Sequence, residues 1–365
     1  MSILFQPQKI GKLEIKNRFV RSATAEKAAD EEGRPTKASA KIYSDLAKGG
    51  VGLIITGHAY VRTDGKSHPG MMGIYSDELI PSLRSLAQAV HKEGGRVAAQ
   101  LNHAGARVVP ELETDEETVA PSAWVDGASS RQARELEDGE VEELARAYGQ
   151  AARRAKMAGF DAAQLHTAHG YLINQFLSPI TNRRQDRWGG NLEGRMAFLL
   201  AAYKEVREQV GDLYPVLVKL AGEDSLEGGL SLEETIEVVR RLEEMGIDAL
   251  ELSGGLGGGS MRTDILSPED EAYFLPWIIK VREGTQVPLI IVGGMRSRPI
   301  MERVLKEGWA DFISMSRPFI REPDLVERLR VGYQGTADCI SCNRCSGHYG
   351  VPIRCWVLHP EGRNL

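Results

Sequence analysis

Three proton-bearing side chains fall close together in the stretch LHTAHGYLINQFLSPITNRRQDRWGGNLEGR (165–195): His166, His169 and Tyr171. Neutral imidazole N–H groups suit an oxygen that gains negative charge during a reaction. A phenol beside them suits a proton donor. Two plainer readings stay open at this point. An H-x-x-H pair occurs in metal sites, although no third ligand lies nearby in the usual zincin arrangement. Either histidine could also be a satisfied structural residue.

A second group lies at the other end of the chain. Cys339, Cys342, Cys345 and Cys355 are spaced C-x2-C-x2-C-x9-C, and no cysteine precedes them. Four thiolates so gathered suit an iron–sulfur cluster or zinc, with disulfides or free thiols as the remaining reading.

The elements that must position these groups are legible as a repeat. RFVRSA (18–23), VGLIIT (51–56), RVAAQL (96–101), DAAQLH (161–166), PVLVKL (215–220), DALELS (248–253), PLIIVG (288–293) and DFISMS (311–316) are short apolar runs. They are nearly continuous rather than alternating, as strands buried on both faces should be. Between them lie helical stretches with punctuation. Ser231 and Glu234 make an S-x-x-E capping pattern, and Gly49, Gly94, Gly159, Gly246 and Gly308 sit where helices should end. Eight βα units in series predict an α/β chain folded as an eight-stranded β/α (TIM) barrel over 1–332, with a Cys-rich C-terminal tail over 333–365. A doubly wound open sheet would want a G-x-G-x-x-G turn after its first strand, and SATAEKAAD is not one. His166 ends the fourth strand, at the face where barrel enzymes keep their active sites. Residues 105–135 read as a long insertion after the third strand. GGLGGGS (254–260) reads as a mobile loop after the sixth.

Composition narrows the function classes. The 365 residues carry a net charge of -6 with acidic and basic residues well mixed, which argues against a nucleic-acid surface. No apolar run reaches the roughly 18 residues of a membrane span. The N-terminus, MSILFQPQKIGKLEIKNR, shows no apolar signal-peptide core, so a cytoplasmic location is expected. A small-molecule substrate is the expected partner, and a homo-oligomer is left open.

The stretch HTAHGYLINQFLSPITNRRQDRWGG (166–190) resembles the H-x-x-H/N-G-Y-L…QFLSP…N-x-R-x-D-x-x-GG motif of the Old Yellow Enzyme family of NADH:flavin oxidoreductases. LEIKNRFVRSAT (13–24), VGLIITG (51–57), QLNHAG (100–105), APSA (120–123), AGFDAAQLH (158–166), VGGM (292–295) and SRPFIREPDL (316–325) match in family order. The resemblance implies FMN at the barrel's C-terminal mouth, NAD(P)H as reductant, and an enone, enal or enoyl substrate. It implies that His166 and His169 hold the substrate carbonyl oxygen and that Tyr171 protonates the carbon beside it. Gln100 would meet the flavin pyrimidine edge, and Ser22, Ala23 and Thr24 would run alongside the isoalloxazine. Gly57 would approach its edge through backbone. Gly293, Gly294, Ser316 and Arg317 would hold the phosphate, on the loops after strands seven and eight where barrels commonly place one. Four positions depart from the pattern. Ser316 stands where members often have Gly before the Arg, and Ala106 rather than Arg follows QLNHAG, with Arg107 one place later. Ala25 stands where much of the family has Thr or Cys, and Lys219 stands where many members have Arg near flavin N1.

The tail resembles the iron–sulfur segment of the 2,4-dienoyl-CoA reductase and trimethylamine dehydrogenase branch, which implies a 4Fe-4S cluster on Cys339, Cys342, Cys345 and Cys355. The spacing differs from that branch, and the second flavin domain that follows there is not expected here. Two alternatives remain: a flavin/iron–sulfur electron-transfer subunit working with a partner protein, and a flavin-free barrel enzyme such as an aldolase or isomerase.

Overall fold

The structure is a computed structural model and describes residues 2–127, 131–257 and 262–360. Eight parallel strands lie where the apolar runs placed them: β1 (Phe19–Arg21), β2 (Leu53–Tyr60), β3 (Arg96–Asn102), β4 (Ala162–Thr167), β5 (Val216–Ala221), β6 (Ala249–Ser253), β7 (Leu289–Ile291) and β8 (Phe312–Met315). Each pairs with the next, and β8 pairs back onto β1 through Ile313↔Phe19 and Met315↔Arg21, so the sheet closes into a barrel. Helices α1 (Lys37–Lys48), α2 (Ile80–Lys92), α3 (Asp138–Ala158), α4 (Leu192–Val210), α5 (Leu232–Glu244), α6 (Leu275–Arg282) and α7 (Arg298–Lys306) follow the successive strands, and α8 (Leu325–Arg330) closes the series.

The barrel interior has two characters. Its lower layer is apolar: Val20, Leu53, Ile55, Ala98, Ala162, Leu217, Ala249, Ile290 and Phe312 form one buried cluster. An antiparallel hairpin, Gln8–Ile10 with Leu13–Ile15, adds Ile10 and Ile15 to that cluster. Nearer the strand C-termini the inward residues turn polar, with Gln100, Gln164, Lys219 and Glu251 all buried. The lower layer fixes the strands, and the upper layer is free for chemistry.

The expected punctuation is present with one correction. Ser231 and Glu234 make the reciprocal capping box that starts α5. Gly94, Gly159, Gly246 and Gly308 take positive φ, but Gly49 has φ -71 and its neighbour Gly50 takes φ +95 instead. The 105–135 insertion carries a small sheet of Val119–Ala120, Gln132–Glu135 and Trp124–Val125. Of the glycine-rich loop, Gly258, Gly259 and Ser260 lie outside the described residues. No helix among the described residues is long and apolar enough to cross a membrane.

The tail does not hang free. Ala337 N–H donates to Arg296 O (3.1 Å), Asp338 N–H to Glu322 Oε2 (2.7 Å), and Ile353 N–H to Glu26 O (2.7 Å). Trp356 is buried under the Arg354 guanidinium and beside His348. These contacts lay the tail across the barrel mouth, where few apolar residues suffice because backbone hydrogen bonds do the docking.

Candidate active site

A cavity of about 330 Å³ opens at the C-terminal mouth. Ser22, Ala23 and Thr24 line it from the end of β1, Gln100 from β3, His166 from β4 and Lys219 from β5. Strand register explains the grouping. Gln164 pairs with Gln100, His166 with Lys219, and Lys219 with Glu251. One buried hydrogen-bonded chain results. Gln100 Nε2 donates to Gln164 Oε1 (2.7 Å), and Gln164 Nε2 donates to Glu251 Oε2 (3.1 Å). Glu251 lies 3.5 Å from Lys219 Nζ, which donates to Ser22 Oγ (2.7 Å). Gln100 Oε1 finds no donor among the described residues, so the chain ends in an acceptor at the cavity. Burial lowers the Lys219 pKa and Glu251 opposes that fall.

The three residues of the HTAHGY segment do converge. His166 and His169 lie edge to face at 4.9 Å between ring centroids, and Tyr171 is 4.9 Å from His166. Ala168 N–H donates to His166 Nδ1 (3.4 Å), which leaves the His166 Nε2 as the protonated nitrogen. His169 sits at φ +61, a conformation unusual for a side-chain-bearing residue, and its Nε2 lies 2.7 Å from Ser253 Oγ. Burial, then neighbouring cations and histidines, push both imidazole pKa values far below 6.5, so both rings are neutral at physiological pH. Burial pushes the Tyr171 phenol up to about 12, so it keeps its proton.

At the far end, Gly293 (φ +107) and Gly294 (φ +76) make a turn against Tyr273 and Phe274. A Cβ on Gly293 would lie 2.8 Å from both rings, so only glycine fits. The backbone N–H groups of Gly293, Gly294, Ser316 and Arg317 meet no acceptor among the described residues. Gly293, Ser316 and Arg317 line the main cavity, and Gly294 lines the adjoining pocket. Arg317 also donates to Arg262 O (2.7 Å) and to Asn343 Oδ1. Free donors at one end, an unpartnered carbonyl oxygen at Gln100 and a slot between them suit a flavin mononucleotide. Gly57 is placed differently from its expected role. It does not line the cavity; its N–H donates to Glu26 Oε1 (2.5 Å) and Tyr43 Oη (2.9 Å), and Glu26 fills the space beside it.

Comparison with known proteins agrees with this geometry. Residues 3–335 match the NADH:flavin oxidoreductase / NADH oxidase family. The chain belongs to that family. An NADH oxidase of Thermoanaerobacter brockii is 36% identical over 368 residues, covering 99% of this chain and 56% of that protein. An NADPH dehydrogenase of a Geobacillus species is 36% identical over 324 residues, covering 88% of this chain and 92% of that protein. A solved 2-naphthoyl-CoA reductase complex superposes with TM-score 0.87 at 30% identity, covering 94% of this chain and 54% of that one. The chain thus spans about half the length of the longer relatives and nearly all of the shorter one. A solved Old Yellow Enzyme homologue from Zymomonas mobilis superposes with TM-score 0.75 at 29% identity, covering 91% of this chain and 94% of that one, which bears out both the resemblance and the β/α barrel.

Within this flavin oxidoreductase barrel the tail supplies a wall. Asn343, Cys345, Ser346, Gly347, Tyr349 and Ile353 line the cavity. Cys339, Cys342, Cys345 and Cys355 together line a small neighbouring cleft, and none forms a disulfide. Cys339 Sγ accepts from Ser341 N–H, in a loop where Ser341 and Asn343 take positive φ. Arg321 Nη1 lies 3.9 Å from Cys355 Sγ. Among the described residues no three His, Cys, Asp or Glu side chains are arranged to hold one metal ion.

Several site residues escaped the sequence reading. His58 follows a bulge in β2 between Ile55 and His58, which re-aims it toward Tyr171 (4.9 Å between ring centroids). Its Nδ1 lies 2.9 Å from Asn102 Nδ2, and its Nε2 lies 3.2 Å from His68 Nε2. Glu251 and Gln164 were hidden as polar interruptions in apolar strands, and only the strand register sets Glu251 opposite Lys219. Lys27 and Tyr349 carry no motif signal.

Proposed function

We propose that the protein is an FMN-dependent oxidoreductase that takes hydride from NAD(P)H and reduces the C=C bond of α,β-unsaturated carbonyl compounds. The convergence of His166, His169 and Tyr171 on the Gln100–Lys219 cavity carries this reading. FMN, when bound, would supply the hydride carrier between the two substrates. Gln100 Oε1 would accept from the flavin pyrimidine N–H. Lys219, held by Glu251, would place a cation against the same ring system, and Ser22, Ala23 and Thr24 would lie along it. The free N–H groups around Gly293, Gly294 and Ser316, with Arg317, would hold the phosphate. The His166 Nε2–H would donate to the substrate carbonyl oxygen, and His169, oriented by Ser253, would stand beside it. Neutral donors in a dry site favour the oxygen as it gains negative charge. Tyr171, protonated at all ordinary pH values, would give its proton to the α-carbon.

Cys339, Cys342, Cys345 and Cys355 would hold an iron–sulfur cluster. A single zinc ion needs its sulfurs about 2.3 Å away, whereas a cluster spreads them more widely, as thiols around a cleft allow. A second reading, electron transfer to a partner protein, is favoured by one observation: Cys345 borders both the cavity and the cysteine cleft. Anaerobic stopped-flow separates the two. Rapid bleaching of the flavin by NADH or NADPH, then reoxidation by an enone, supports alkene reduction. Bleaching followed by reoxidation only through an added electron acceptor supports the relay. No bleaching rejects both.

A further inference from the structure

Lys27 differs from every other cation at the cavity. Lys219 faces Glu251, Arg107 Nε faces Asp126 Oδ2 (2.9 Å), and Arg317 is spent on Arg262 O and Asn343 Oδ1. Lys27 is only 7% exposed and lines the cavity, yet its Nζ meets no hydrogen-bond or ion-pair partner among the described residues. Its ammonium stands over the face of Tyr349, 4.6 Å from Nζ to the ring centroid. The backbone holds it there at cost: φ is +55, and its carbonyl packs so tightly on Gly70 that a Cβ there would approach it to 2.7 Å.

Among the described residues no carboxylate lies within ion-pair distance of Lys27 Nζ. Tyr349 lies 5.5 Å from His68, His68 5.3 Å from His58, and His58 4.9 Å from Tyr171, so Lys27 belongs to the substrate end. Asn102 Nδ2–H donates to His58 Nδ1, His58 Nε2–H to His68 Nε2, and His68 Nδ1–H to Pro69 O (2.8 Å). This relay keeps both rings neutral, consistent with burial lowering both pKa values. Glu111 acts on Lys27 only at long range, from an exposed position, and makes no ion pair with it. An ammonium buried this deeply is costly unless something pairs with it.

We propose that Lys27 anchors a carboxylate on the substrate, so that the alkene acted on is an unsaturated carbonyl compound bearing a separate carboxylate. The anion completes the ion pair that the protein leaves open, while the carbonyl oxygen reaches His166 and His169. Tyr349 sets the position of the ammonium through its ring face. This rests on the alkene-reductase reading for the carbonyl, but not for the anion site itself.

The test compares cinnamaldehydes carrying a 3- or 4-carboxyl group with their methyl esters, in the holoenzyme and in Lys27→Met. The wild type should prefer an acid over its ester by tenfold or more in kcat/KM, and the variant should lose that preference. Lys27→Arg should keep part of it. An unchanged acid-to-ester ratio in Lys27→Met, or a wild-type preference for the esters, overturns the proposal. So does a loss confined to reduction of flavin by NAD(P)H, which would assign Lys27 to the nucleotide phosphates. Calorimetric titration with 3- and 4-hydroxybenzoate and their methyl esters needs no turnover. Acid-selective binding lost in Lys27→Met, without any alkene reduction, sustains the anion site and sinks the alkene reading. No acid-selective binding in the wild type sinks the anion site. Should Lys27→Met fail to fold, Lys27→Gln serves in its place.

Discussion

Replacing Glu251 with Gln removes one charge and almost nothing else. Gln is nearly isosteric: its oxygen can take the place of Oε2 and accept from Gln164, while its NH2 takes the place of Oε1, 2.9 Å from Ser314 Oγ, which can accept in turn. What disappears is the attraction on Lys219 Nζ at 3.5 Å, in a place where Glu251 is 0% exposed. Two unit charges at that distance attract by about 5 kcal/mol at an effective dielectric of about 20. Breaking a buried pair by removing one partner costs about 3–5 kcal/mol, so Glu251→Gln should lower stability by about that much at neutral pH. The pH dependence gives a signature. Burial already lowers the Lys219 pKa, and Glu251 is the largest influence raising it, so the variant's folded-state pKa falls further below the unfolded value. The unfolded chain then binds more protons than the native one, and stability rises with pH through that window. The deficit against wild type should therefore narrow as pH climbs toward about 10, the unfolded lysine value. Urea unfolding of flavin-free protein at several pH values measures it. Neutral-pH stability equal to wild type, or a deficit that widens with pH, would refute the pairing. The double variant Lys219→Met with Glu251→Gln should recover most of the loss, because no lone charge is left buried.

Other expectations follow from the same geometry. His166→Ala or His169→Ala should slow alkene reduction by about 3–4 kcal/mol of barrier, the cost of one oxyanion donor, with less effect on flavin reduction; wild-type alkene turnover in the double variant would remove both from the site. Tyr171→Phe should slow only the oxidative half-reaction, and stopped-flow on both halves with several alkenes decides it; equal losses would make the residue structural. The wild-type profile should show no tyrosine limb below about pH 11, because the phenol is pushed up to about 12. Any single replacement among Cys339, Cys342, Cys345 and Cys355 should release iron and sulfide together, read by elemental analysis of anaerobic protein. Finding neither metal nor sulfide in the wild type would leave the cysteines as free thiols.

The barrel was legible because its strands are buried on both faces and so read as apolar runs that need no partner to be seen. His166, His169 and Tyr171 were legible because one strand end and one turn hold all three. Less local features were hidden. His58 depends on a bulge that shifts the pairing of β2 with β3, and nothing in VGLIITGH announces it. Gly57 was expected at the flavin edge because the family resemblance implied it, yet the group beside it is the Glu26 carboxylate. Gln164 and Glu251 form a layer only after closure sets β4 beside β3 and β5 beside β6. Lys27 reads as an ordinary surface lysine, since neither its positive φ nor the distant Tyr349 can be seen in sequence.

The tail joins these threads. Its cysteines looked like a second site appended to the first, but Cys345, Tyr349 and Ile353 form part of the first site's wall. The family match ends at residue 335, before Cys339, whereas the match to the longer NADH oxidase covers 99% of the chain. His166, His169, Tyr171 and the Gln100–Lys219 layer therefore lie in the shared barrel, and the cavity wall of Cys345, Tyr349 and Ile353 lies in the tail. A segment with so few apolar residues holds its shape through docking on the barrel, and the proposed cluster would add ligation to that. Loss of the proposed cluster should then reach the cavity through Tyr349, loosening the aromatic face over Lys27 while leaving His166, His169 and Tyr171 in place. Selectivity among substrates would suffer before the chemistry does, which separates a structural tail from an electron relay.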